Sequence, residues 1–165
     1  MTEEKDFLNC LCLKEVRVAQ AADLIQMADT EQVFLADADS PNFSVEKFLL
    51  SQETLPDFHF FVETSSQGER LGFISLLPHK TKGTISIGPM YVRKEYRGRG
   101  VGKLLVEQVV AWARENKFKK VFTKTWGQNQ GSRKIFESLN FKQTKETLGA
   151  RVNGDSTVTY ELPLE

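Results

Sequence analysis

Residues 97–105 read Arg-Gly-Arg-Gly-Val-Gly-Lys-Leu-Leu, and they limit what this chain can fold into more than any other stretch. An extended apolar run, residues 85–92, precedes them, and an amphipathic helical pattern follows. Gly98, Gly100 and Gly102 alternate with larger residues, so the turn can take positive φ values and bring bare backbone against a ligand. A helix starting there points its unpaired N–H groups and the positive end of its dipole at the same place. That is an anion seat, and Arg97, Arg99 and Lys103 add positive charge around it. Two familiar nucleotide loops fail on spacing. A P-loop needs glycine five residues before its Gly-Lys pair and Ser or Thr after it, but here those places hold Arg97 and Leu104. A dinucleotide fingerprint needs its glycines in another spacing and an acid about 20 residues on, where residues 116–120 offer none.

What fits is Arg-x-x-Gly-x-Gly, Arg97 to Gly102, after a strand ending Met90-Tyr91-Val92. Downstream, residues 121–126 read as a strand, and Asn129-Gln-Gly-Ser132-Arg-Lys-Ile-Phe136-Glu-Ser-Leu-Asn140-Phe141 reads as a helix led by Asn and ended by a Gly-Phe-like pair. Together these resemble the GCN5-related N-acetyltransferase superfamily, over roughly residues 83–141 and only weakly in the N-terminal third. The resemblance implies acetyl-CoA as cosubstrate and an amine as acceptor. It implies that Arg97, Gly98, Arg99, Gly100, Val101, Gly102 and Lys103 seat the pyrophosphate. Met90, Tyr91 and Val92 would hold pantetheine as a pseudo-strand, with Asn129, Ser132 and Phe136 closing the far wall.

The length, 165 residues, suits one domain over residues 1–165 with a single core. No run approaches the ~20 apolar residues of a membrane span, and the acidic start, Met-Thr-Glu-Glu-Lys-Asp, lacks a secretory apolar core, so the expectation is a cytoplasmic protein. Cys10 and Cys12 would face one side of a strand. Without further ligands nearby they read as buried thiols and not as a metal site, a catalytic cysteine being the sharper alternative. Charge is zero overall but uneven: residues 1–60 carry twelve acids against four bases. The basic remainder might suggest nucleic acid, yet no aromatic-interleaved motif accompanies it, and neither a nucleic-acid nor a membrane partner is expected.

Along the chain, residues 11–18 read as a strand and 19–28 as a helix. Ser44 caps a second helix to Leu50. Residues 58–63, 71–77 and 85–92 form a meander of strands joined by short polar turns. Gly88 and Pro89 interrupt the last of these, as an edge kink or as a bulge that frees the amides of Met90 and Val92. Val101, Leu105, Val109 and Trp112 line one face of a long helix, which Asn116 ends in the left-handed position. Residues 120–126 then run parallel to 85–92. Ile135, Phe136 and Leu139 face inward on the next helix, Asn140 ends it, and residues 157–162 form a final strand. The fold class is α/β: a mixed, mostly antiparallel sheet of about six to seven strands with about four helices on both faces.

Acetyl transfer from a thioester needs a neutral amine, a stabilised oxyanion and a route for the thiolate. A free N–H at Met90 would face the thioester oxygen. Counting seven residues from Asn129, where many relatives carry a proton-donating tyrosine, stands Phe136. Three alternatives stand: Tyr91, Tyr160 or Ser132 replaces it, the thiolate leaves unaided, or the chain binds CoA as a catalytically weak or regulatory relative. Glu63 and His79 are the candidate bases, each more readily read as an ordinary surface group, and ordered water is the alternative. Lys134 is either a phosphate contact or a solvated charge. Asp29, Glu31, Asp37 and Asp39 form an acidic edge that either attracts a cationic acceptor such as a polyamine, an aminoglycoside or a lysine-bearing peptide, or keeps a loop solvated. The protein would act as a monomer or a homodimer.

Overall fold

The hydrophobic pattern of residues 59–92 builds a three-strand meander first: β2 (His59–Thr64), β3 (Arg70–Pro78) and β4 (Thr84–Val92), each antiparallel to the next. The computed structural model describes residues 2–34 and 42–164. A short β1 (Cys12–Glu15) pairs antiparallel with β2. After β4 comes α4 (Val101–Glu115), a crossover that returns the chain parallel to β4 as β5 (Lys120–Trp126). Helix α5 (Gln130–Ser138) and the hairpin of β6 (Lys142–Thr147) and β7 (Thr157–Pro163) complete a seven-stranded sheet ordered β1-β2-β3-β4-β5-β7-β6. Only β4 and β5 run parallel, so the sheet is mixed and mostly antiparallel, as expected.

Alternation along the strands feeds two cores. On one face Phe61, Ile74, Leu76, Ile85, Ile87, Val121 and Val158 pack against Val101, Leu105, Val106 and Val109 of α4 and Phe136 of α5. On the other, Phe60, Val62, Phe73 and Tyr91 pack against Leu24, Ile25 and Ala28 of α2 (Ala22–Glu31) and Val45 and Leu49 of α3 (Val45–Gln52). Ser44 caps α3, as its spacing implied: its side chain accepts from Lys47 N. Among the described residues, no helix is long and apolar enough to cross a membrane.

Several expectations need correction. Helix α1 (Thr2–Asn9) precedes β1, where the polar sequence gave no helical signal. The helix expected at residues 19–28 starts later, because Val18–Ala21 forms a 3₁₀ turn first. Helix α4 ends through Lys117, which takes the left-handed φ of 69°, whereas Asn116 keeps φ −93°. Strand β6 was not expected at all, because its six side chains are all exposed and show no alternation. Cys10 and Cys12 are exposed rather than buried, and only Cys12 lies in a strand.

Candidate active site

The site begins where a ladder stops. Strands β4 and β5 pair from Thr84 opposite Lys120 to Ile87 opposite Thr123 and no further. The cause lies at Gly88 and Pro89. Between Ile87 and Met90 the chain takes three steps while β3 takes two, from Leu76 to Ile74, so β4 bulges there. Pro89 has no N–H to give a ladder. Gly88 is held so close to β3 that an added Cβ would lie 2.7 Å from both Leu77 Cδ1 and Ser75 Oγ. The Ser75 hydroxyl donates to Pro89 O (2.9 Å), and the Thr123 hydroxyl donates to Ile87 O (3.2 Å), fixing both sides of the bulge.

Beyond the bulge the strand keeps β3 as its partner. Arg93 N donates to Leu71 O (2.8 Å), and the Tyr91 carbonyl faces Gly72, where an added Cβ would meet it at 2.4 Å. Backbone polarity alternates along a strand, so Met90 and Val92 turn their N–H groups to the side that β5 has left. The bulge reading of Gly88-Pro89 is the one the geometry supports.

At the mouth of this opening lies the glycine turn. Gly98 and Gly100 take φ 77° and 88°, and α4 starts at Val101 with no side-chain cap on its first amides. Gly102 serves packing: an added Cβ would stand 3.1 Å from Ile135 Cδ1 and 3.8 Å from Val92 Cγ2, so glycine lets the helix start fit between α5 and the end of β4. Lys103 is exposed on that first turn. Arg99 stacks over the Phe7 ring of α1 at 3.7 Å. These uncapped amides, left-handed glycines and basic side chains fit a pyrophosphate group.

The polar side chains assigned by sequence fare unevenly. Asn129 caps α5 by accepting from Ser132 N (3.4 Å), and its Nδ2 donates to Thr125 Oγ1 (2.8 Å), so both ends of its amide serve the fold. Ser132 is half-buried on the first turn of α5 and Lys134 is exposed. Phe136 is 3% exposed and packs on Phe141 and Tyr160, which makes it a core residue.

Neither phenol is poised to release a proton. Burial, then the hydrogen bond to Glu31, pushes Tyr91 up to about 12. Tyr160 donates to Glu137 (2.7 Å) and accepts from Arg133 Nε (2.9 Å); burial and Glu137 raise it.

The expected bases stand apart from Met90. Glu63 is fully buried, not a surface group, and β3 lies between its strand and β4. It faces α4, where Gln108 donates to its Oε1 (2.5 Å), and desolvation raises its pKa to about 7 against the lowering by that bond. His79 follows the β3 end that pairs with Ile85, about 17 Å along β4 from Met90 at ~3.4 Å per residue. Its Nδ1 accepts from Thr81 N (3.0 Å), and burial and then Lys80 lower its pKa.

Of the acidic edge, the two described acids are engaged within the fold. Asp29 accepts from Ser44 Oγ (3.2 Å), Val45 N (2.8 Å) and Glu46 N (3.2 Å), capping α3 from a distant helix. Sequence offered no sign of that, since the partners are 15 to 17 residues apart. Glu31 is bound to Tyr91 and Arg97. Asp37 and Asp39 lie outside the described residues.

The strand pair thus parts at a bulge, with a glycine turn and a helix start at its mouth. The sequence profile of the Acetyltransferase (GNAT) family matches residues 24–141. The chain belongs to that family. An 81-residue stretch is 28% identical to N-acetylaspartate synthetase of Danio rerio, spanning 49% of this chain but only 29% of that protein. A GCN5-related N-acetyltransferase from Kribbella flavida superposes with a TM-score of 0.79 at 18% identity, over 94% of this chain and 99% of its own. NAA60 of Arabidopsis thaliana, solved in complex with acetyl-CoA, gives 0.73 at 14% identity over 93% and 98%. At those identities the two structures establish the fold.

Proposed function

We propose that residues 1–165 act as one catalytic domain that transfers acetyl from acetyl-CoA to a primary amine by direct attack in a ternary complex. The observation that carries this reading is the parted β4–β5 ladder, with two outward N–H groups and an uncapped helix start at its mouth. Bound acetyl-CoA supplies an activated acyl group. Met90 N–H donates to the thioester oxygen, strongest as negative charge develops there. Val92 N–H holds a pantetheine carbonyl, and the backbone of residues 98–103 receives the pyrophosphate, with Arg99 and Lys103 supplying charge.

The neutral amine attacks, its C–N bond forms as the C–S bond breaks, and the amine proton leaves through water. With Phe136 in the tyrosine position and both buried phenols committed, the thiolate departs unprotonated. A thiol pKa of about 8.5 makes that cost about 2 kcal/mol at pH 7. Asp29 and Glu31 are engaged within the fold, so attraction of a cationic amine falls to Asp37 and Asp39. The second reading, a CoA-binding relative without turnover, draws on the same Phe136.

Calorimetric titration of acetyl-CoA tests the assignment. The expected result is micromolar binding that Gly100→Glu/Gly102→Glu abolishes, followed by thiol release with a panel of amines. Binding without release on any amine would favour the regulator, and no binding would remove the cofactor assignment.

A further inference from the structure

Arg97 is not turned toward the glycine loop it opens. Its Nε donates to Val92 O (2.8 Å) and its Nη2 to Glu31 Oε2 (2.8 Å), while its guanidinium lies 5.4 Å from the Tyr91 ring centre. The Tyr91 hydroxyl donates to the other oxygen of Glu31. One carboxylate, the last residue of α2, is therefore fastened to β4 just past the bulge and to the start of the glycine turn. The ion pair itself is partly exposed, Arg97 at 44% and Glu31 at 27%, but it is tied to Tyr91, which is 3% exposed, and so is not an isolated surface pair. Burial opposes the Glu31 charge, but the bonds from Tyr91 and Arg97 and the charges of Arg97 and Lys94 hold its carboxyl below the ordinary value. Val92 matters here because its carbonyl and N–H share the open side of β4.

We infer that Glu31 is a positioning residue for the cofactor loop: it clamps Arg97 against Val92 O, and so fixes where the turn at residues 98–100 and the first turn of α4 stand against the parted edge of β4. Arg97 is then a strut and not a phosphate ligand. The inference rests on the acetyl-CoA reading. It also makes α2, which packs on the opposite face of the sheet from α4, part of the cofactor site's framework.

The test is CoA binding by calorimetry, with melting temperatures, for the wild type, Glu31→Gln, Arg97→Met and the pair. Each single variant should weaken CoA binding about tenfold, the scale of one charge-assisted hydrogen bond. The double variant should be no weaker than about twofold below the worse single, because the two side chains act as one unit. In steady state, Glu31→Gln should raise the acetyl-CoA KM with kcat and the acceptor KM nearly unchanged, a split that general loosening of the fold would not give. Tyr91→Phe, which removes one bond to Glu31 and keeps the ring, should give a smaller weakening in the same direction. Binding that is unchanged or tighter in Glu31→Gln would overturn the inference, since a phosphate-binding arginine would have been released. Additive losses in the double variant would overturn it too. A wild type that does not bind CoA would defeat the cofactor reading itself, and the variants would then be equally silent.

Discussion

A carboxyl at position 63 occupies a place on β2 where the alternation calls for an apolar side chain, on the same face as Phe61. It is completely buried, and its Oε2 has no hydrogen-bond partner among the described residues. Desolvation dominates and carries the folded-state pKa to about 7 from 4.5. Between those values the folded chain holds a proton that the unfolded chain has lost, so unfolding releases it and rising pH favours unfolding. The penalty grows from about pH 4.5, is complete just above pH 7, and is on the order of 3 kcal/mol. Urea unfolding from pH 5 to 8 should therefore give a stability that falls with pH in the wild type more steeply than in Glu63→Gln. The variant should be nearly neutral at pH 5 and more stable at pH 8 by about 1–3 kcal/mol. Parallel curves would mean that the carboxyl is ionised throughout. Because Glu63 lies two strands from the opening, acetyl transfer should keep its own pH profile in this variant.

At the scale of elements, the site depends on a bulge that a single methyl would disturb. Gly88→Ala sets a Cβ against Leu77 and Ser75 at 2.7 Å, so those side chains or β4 itself must shift to accept it. Overpacking of this kind costs about 1–3 kcal/mol. The displaced amide is Met90's, so kcat should fall at least about tenfold, as small misplacements do, while CoA affinity, set further along at α4, changes little. Equal losses in both quantities, or in neither, would separate the bulge from the chemistry. This stretch was the legible part of the chain. Strand period, Gly-Pro break, glycine turn and helical stripe are consecutive local signals, and each agreed with the next. Local signals also explain the failures. Strand β6 has no buried face to announce it. The Glu31–Arg97 clamp joins residues 66 apart in sequence, and nothing at either end marks a partner. Acids grouped near Asp29 and Glu31 read as a free negative edge, although two of them are structural.

The whole sheet decides which chemistry can reach the acyl group. Strand order sets β1 at one edge with β2 and β3 between it and β4, and Cys12 sits at that edge, exposed. A cysteine that carried the acyl group in a covalent intermediate would have to touch the thioester at the opening, and Cys12 cannot across two intervening strands, ~4.8 Å apart each. The direct attack we propose carries a kinetic signature. Initial-rate plots against acetyl-CoA at several amine concentrations should intersect, and Cys10→Ser/Cys12→Ser should keep kcat/KM within about twofold, since exposed substitutions seldom disturb a fold. Parallel plots, or activity lost with the cysteines, would require a double-displacement route. The same order explains why the two helical layers matter unequally. Helix α4 supplies amides to the opening, whereas α2 and α3 cover the face that carries Tyr91.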